Sequence, residues 1–363
     1  MGCGHGAAQA VPDLPHDPPA RARAQSVARV EERPPAPRFF PLPTHGTRLS
    51  EAILRTATGI ALLAILAITG GRPLWPAEQA ATRFQVTVDM VVLTFTVTDG
   101  ERRYVRGLQP SDIRLSEDGT LQKIAAFAEG TQPPLPLREN PADSFAGTNV
   151  FVLFDTSNCM YKGFAYASDA IAEFVRHLDR ADSVAVYTFS RNLFRAAPLT
   201  KDHGQAIFGL RNAVAGDDTA LYNTLLLTLR DAAQIAGRKA VVVFSNGPDN
   251  ASVIAPDDVG AVAEDEGIPI YVISTNDGSR DAISAAVFQR ITTRTGGRLY
   301  WAQTWQDQTK AFAAVSQDIG NSYVVAYYPA PNPNRGFRTI KVDIVSGKKC
   351  VVRARLGYRP RLP

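Results

Sequence analysis

Between positions 149 and 303, short and continuously apolar runs alternate with stretches whose apolar residues recur every three or four positions. The runs are Val150–Phe154, Ser183–Phe189, Ala240–Phe244, Ile268–Ile273 and Arg298–Trp301. Strands apolar on both faces belong in a parallel sheet covered by helices on each side. The intervening stretches supply those helices. Phe164, Ala167, Ile171, Phe174, Val175 and Leu178 share one helical stripe. Tyr222, Leu225, Leu226, Leu229, Ala232 and Ala233 share a second, and Ile283, Val287 and Ile291 a third. A last helix carries Phe312, Val315 and Ile319. The pattern predicts an α/β fold over 149–320, doubly wound around a mainly parallel sheet, with small antiparallel β segments at both ends.

Those flanking segments have a different texture. Val86–Thr98 is rich in β-branched residues and ends at the turn dipeptide Asp99-Gly100. Ile113–Leu115, Glu117-Asp118-Gly119, Leu121–Ile124 and Phe127 extend this into a small β module over 84–130. Residues 131–148 hold Pro133, Pro134, Pro136 and Pro141 and read as a linker. Tyr323–Tyr328, Thr339–Val345 and Cys350–Arg355 predict a β segment over 321–360. Each flank is too small to fold alone, so pairing between 84–130 and 321–360 is the expectation.

The N-terminal region falls outside this architecture. Residues 1–50 are rich in Pro, Ala and Arg and read as a disordered tail. Within 51–81 lies an uncharged apolar run, 56–71, preceded by Arg48 and Arg55. It is short against the roughly 20 residues of a membrane span. It suits the apolar part of a secretory signal, with small residues at Ala77, Ala80 and Ala81 beyond it. Either translation starts near Leu49 or Val30, or the segment remains as a signal anchor with its arginines inside. Both versions export residues 82–363, to the periplasm, a membrane surface or the medium. Membrane contact is expected only through 56–71, if it is uncleaved.

Composition narrows the chemistry. A formal charge of +4 on 363 residues, with Lys and Arg scattered, argues against a nucleic-acid partner. Cys3, Cys159 and Cys350 form no CxxC pair, and a Cys159–Cys350 disulfide is not expected. The five histidines show no HExxH pattern. No GxGxxG, GxxxxGK[ST] or GxSxG follows any expected strand, so no nucleotide cofactor and no hydrolase elbow are indicated.

In open α/β sheets ligands bind beyond the carboxyl ends of the strands. Three polar loops are expected there: Asp155-Thr156-Ser157-Asn158-Cys159, Gly216-Asp217-Asp218-Thr219-Ala220-Leu221 and Ser245-Asn246-Gly247-Pro248-Asp249-Asn250. These resemble the DxSxS, Thr and Asp motifs of the metal-ion-dependent adhesion site of von Willebrand factor type A (VWA) domains. Over roughly 84–358 the chain is similar to the VWFA-related family found in acidobacteria. There, a β module with a segment like Gly107–Gly119 precedes the domain, and a tail like Arg353–Tyr358 follows it. The resemblance implies a protein-binding module without catalytic activity. It places Asp155, Ser157 and Thr219 as metal ligands, with Cys159 replacing the second serine and Asn246 the aspartate.

Those two departures weaken the site. Magnesium demands oxygen ligands at about 2.0–2.1 Å, and a thiol is a soft, poor partner for it. Asn246 offers an oxygen but no charge. Weak or absent Mg2+ binding is therefore expected, with Asp217, Asp218 or Asp249 as candidates for compensation. Taken singly, Asp155 and Thr219 read as turn or helix caps; their joint placement favours a site. Cys159 reads as a small buried filler, Tyr300, Trp301 and Trp305 as packing residues, and Tyr323, Tyr327 and Tyr328 as sheet residues. An adhesion-type binding module for an unidentified protein partner is the leading reading. A metal-free scaffold and a hydrolase using the crevice are the alternatives.

Overall fold

The structure is a computed structural model that describes residues 90–130, 135–136, 147–276, 281–345 and 349–361. The expected tail, the leader, the first residues of the 86–98 strand and most of the linker lie outside the described residues. All the described residues fall in one compact unit, 83–363.

Elements follow in chain order. The first flank holds β1 (Val91–Thr98), β2 (Ile113–Glu117), β3 (Thr120–Leu121), β4 (Ile124–Glu129) and β5 (Leu135–Pro136). The α/β unit opens with β6 (Thr148–Asp155), α1 (Phe164–His177), β7 (Ser183–Phe189), β8 (Leu193–Thr200) and α2 (His203–Arg211). It continues through α3 (Leu221–Ala233), β9 (Arg238–Ser245), α4 (Pro256–Asp265), β10 (Ile270–Ser274), α5 (Ala282–Thr295), β11 (Leu299–Trp301) and α6 (Trp305–Gly320). The second flank holds β12 (Tyr323–Tyr327), β13 (Arg338–Ile344), β14 (Val351–Ala354) and β15 (Gly357–Tyr358).

The central sheet runs β11-β10-β9-β6-β7-β8, parallel except at β8. The fold is the mainly parallel α/β sheet that the apolar runs indicate. One face buries Val150, Val152 and Phe154 under α1 and α6, and the other buries Phe151 and Leu153 under α3, α4 and α5. Three elements carry no strong sequence pattern. β8 contains Pro198 and lies at an edge, where a missing N–H is tolerated. α2 has two glycines, and α4 buries only a narrow stripe of small residues around Val259 and Ala263.

The two flanks share sheets. β1 from the first pairs with β12 and β14 from the second, and β2 pairs with β13. Leu93, Phe95, Leu115, Tyr323, Tyr327 and Val342 form the core between these sheets. Tyr328, in contrast, is half exposed, because the strand ends one residue before it.

Basic side chains fasten this β layer to the base of the α/β unit, where the parallel strands begin and the helices end. The guanidinium of Arg355 donates to the carbonyls of Glu264 (2.7 Å) and Asp265 (3.2 Å) at the end of α4, and to Val92 of β1 (3.0 Å). Arg238, at the start of β9, donates to Gly130, to Ser322 Oγ and to the Ile319 carbonyl near the end of α6. Within the α/β unit itself, Lys239 Nζ donates to the Ile235 carbonyl just past α3 (2.7 Å). Helix C-termini carry unsatisfied carbonyls and partial negative charge, so cations belong there. Burial pulls the Arg238 pKa down to about 10, against the opposing charge of Asp182. The close passage also needs Gly296, which ends α5 at φ +80°; a Cβ there would lie 2.7 Å from the Ala354 carbonyl carbon.

Candidate functional site

At the opposite end, where the strands finish, backbone hydrogen bonds tie the three polar loops together. Asn158 N donates to the Asp217 carbonyl (3.0 Å), and Gly216 N to the Thr156 carbonyl (2.8 Å). Asn250 N and Ala251 N both donate to the Thr219 carbonyl (3.1 Å each), while Thr219 N donates to Asn250 Oδ1 (2.9 Å). Register sets the strand ends side by side. Phe154 pairs with Phe244, Ser245 with Ser274, and Ser274 with Trp301.

Asp155 lies at the centre of this rim and is fully buried. Its Oδ1 accepts from Ser157 N (2.9 Å), an ordinary turn contact, and its Oδ2 accepts from Ser245 Oγ (2.6 Å). Burial pushes its carboxyl pKa above the usual range. The hydroxyls of Ser245 and Ser157 and the Ser157 amide oppose that shift, and the nearby charge of Asp249 adds to it. On the same loops, three buried oxygens form no hydrogen bond of good geometry among the described residues: Thr219 Oγ1, Asn246 Oδ1 and Ser157 Oγ, the last close enough to Asp155 to favour its charge. Asn246 Nδ2 donates to the Cys159 carbonyl (3.3 Å), and since only the nitrogen can donate, this bond fixes which way the amide faces.

The structure revises several expectations. Thr219 is not the helix cap: Ala220 takes that position, and the Thr219 hydroxyl has no hydrogen-bond partner among the described residues. The cap of α3 comes from a different loop. Asp249 Oδ2 accepts from Tyr222 N (3.0 Å), and Oδ1 accepts from Ala251 N and Ser252 N. Asp218 pairs outward with Arg191 (3.4 Å), and Asp217 is exposed. Of the three aspartates, Asp249 acts electrostatically on Asp155 while its oxygens accept from the start of α3. Cys159 is exposed, because the chain after Ser157 turns through a short 3-10 segment that lifts it off the core, and among the described residues neither it nor Cys350 forms a disulfide. Trp301 and Trp305 are exposed rather than packed, ending β11 and starting α6 on the same rim; Tyr300 is partly buried. Sequence reasoning missed Ser245, although its position directly before Asn246 at a strand end was a usable signal.

All the unpartnered atoms are oxygens, so in kind they suit a hard cation such as Mg2+, and Asp155, Ser157, Thr219 and Asn246 would hold it. In charge they fall short. Among the described residues no group of three or more His, Cys, Asp or Glu side chains converges.

Residues 150–248 match the family profile of the von Willebrand factor type A domain. No curated protein matches the chain. Among solved structures, an aerotolerance-related membrane protein from Bacteroides fragilis is 20% identical, with 48% of this chain and 98% of that one covered and a TM-score of 0.40. The vWF domain of a type V pilus tip protein from Porphyromonas gingivalis is 12% identical, covering 48% and 95%, with a TM-score of 0.40. A von Willebrand factor type A protein from Catenulispora acidiphila is 10% identical, covering 75% of each chain, with a TM-score of 0.39. The family match runs from β6 to the loop after β9 and contains Asp155, Thr219 and Asn246. Together with the mainly parallel sheet, this shows that the chain carries a von Willebrand factor type A domain.

Proposed function

We propose that the chain is an exported protein-interaction module that engages its partner at the strand-end rim. One observation carries this reading: three buried, unpartnered oxygens on loops gathered around a buried carboxylate. Buried polar atoms are rarely left unbonded, and each costs about 1–3 kcal/mol when they are. Three together favour a surface kept for a ligand over one selected for stability alone. Exposed Tyr161, Trp301 and Trp305 on the same rim add the aromatic character that interface cores favour.

A divalent cation held by Asp155, Ser157, Thr219 and Asn246 would offer an open position to an acidic side chain of the partner. With one carboxylate in the donor set, its binding is weak. Catalysis is not part of the reading, since the rim's hydroxyl–carboxylate pair, Ser245 and Asp155, is fully buried. Export rests on the uncharged run at 56–71. Among the described residues no helix is long and apolar enough to cross a membrane.

The test is cross-linking of the chain to cell-envelope proteins, read by mass spectrometry. Asp217→Arg with Tyr161→Ala, both exposed on the rim, should abolish the adducts, while Arg114→Ala on the β layer should leave them intact. Adducts that survive the rim changes would refute the assignment of the surface. A magnesium titration adds a second arm: tight binding lost in Asp155→Ala would overturn the weak-site reading.

A further inference from the structure

We propose that Asn246 is a positioning residue that clasps the rim without a divalent cation and keeps the set Asp155, Ser157, Thr219 and Asn246 at one carboxylate. The inference deepens the reading of the rim as an interaction surface, but its test needs no partner, so the two can fail separately.

The argument starts from the amide. Its nitrogen bridges the loop after β9 to the loop after β6 by donating to the Cys159 carbonyl at 3.3 Å. That bond leaves Oδ1 buried and, among the described residues, without a partner, as are Ser157 Oγ and Thr219 Oγ1 on the adjoining loops. An aspartate here would reverse the interaction. One of its oxygens would face the Cys159 carbonyl, acceptor against acceptor. Its charge would also join that of Asp155, which is fully buried on the neighbouring loop. Like charges in a poorly solvated site destabilise each other unless a cation lies between them. An aspartate at 246 would thus make the loops depend on an ion, whereas the asparagine joins them directly.

Asn246 does not act alone in this. The loops are also held by the Asn158–Asp217 and Gly216–Thr156 backbone bonds and by Ser245 on Asp155. None of these bonds uses the oxygens left free. The resting rim is therefore assembled and still open to a ligand, and divalent cations are not needed to order it.

Thermal unfolding of the full chain, in EDTA and in millimolar MgCl2, tests the proposal on three proteins. The wild-type Tm should be the same in both solutions. Asn246→Asp should unfold about 2–4 °C lower in EDTA and recover in magnesium. Asn246→Leu, which removes the clasp without adding charge, should be lowered equally in both. Only the ion-dependence separates a clasp from a merely well-packed residue. If Asn246→Asp matches the wild type in EDTA, or if the wild type itself gains several degrees from magnesium, the proposal is wrong.

Discussion

The two ends of the α/β unit treat buried polar groups in opposite ways. At the base, Arg238, Arg355 and Lys239 reach helix C-termini and bond to their carbonyls, leaving Nε of the two arginines unpartnered. At the rim, Asp155 is buried with its pKa raised, and Ser157 Oγ, Thr219 Oγ1 and Asn246 Oδ1 form no hydrogen bond of good geometry among the described residues. Both ends contain buried charge, but only the base brings oppositely polarised groups to meet it. The base is built to join the β layer to the sheet. Among the described residues the atoms without partners at the rim are oxygens near a buried carboxylate, whereas at the base they are arginine nitrogens and Thr148 Oγ1. That difference in kind supports the proposed division between structure and recognition.

If the contrast is real, substitutions at the two ends should differ in size and in sign. The largest effect belongs to the base. Arg238→Met strips donors from the carbonyls of Gly130 and Ile319 and from Ser322, so urea unfolding should show a loss of about 3 kcal/mol. A loss under about 1 kcal/mol would erase the distinction between the ends.

An intermediate effect, of opposite sign, is expected at Asp155. Its folded pKa lies above the ordinary carboxylate value, so the unfolded chain releases this proton first as pH rises. Wild-type stability should then fall from the ordinary carboxylate pKa upward through the raised one. Asp155→Asn keeps the oxygen that accepts from Ser157 N and has no proton to lose. In EDTA it should be more stable than the wild type at pH 7, with the advantage shrinking toward pH 4. An advantage independent of pH would show that burial of the charge is not the cause.

The smallest effect should come from Thr219→Val. The hydroxyl has no partner and the shape is retained, so unfolding should shift by no more than about 0.5 kcal/mol, in favour of the variant if at all. Partner adducts, in contrast, should weaken. A large loss of stability would mean that the hydroxyl is bonded in solution.

Much of this was legible in the chain. The apolar runs at 150–154, 183–189 and 240–244 gave the buried strands, because a strand covered on both faces must be apolar at every position. Asp155 and Thr219 were visible as polar residues just beyond expected strands and before a helix. Three things were not visible. β8 and α2 carry proline, glycine and exposed residues that blur any period. Cys159 looked like a filler because small apolar residues usually are, and only the turn after Ser157 exposes it. Asp249 looked like a spare ligand, yet its carboxylate is used on the first turn of α3.

The division has a physical cause. Periodicity is a property of neighbouring residues, so the sequence by itself determined the alternation of strands and helices and the loops that end at the rim. Whether a polar atom is satisfied depends on residues from other parts of the chain. Ser245 meets Asp155 across 90 positions, Asn246 meets Cys159 across 87, and Arg355 meets Glu264 across 91. Only the order β11-β10-β9-β6-β7-β8, with the β layer docked at its base, decides those meetings. It gave partners to the Nη groups of Arg238 and Arg355 at one end and, among the described residues, left Ser157, Thr219 and Asn246 with oxygens to spare at the other.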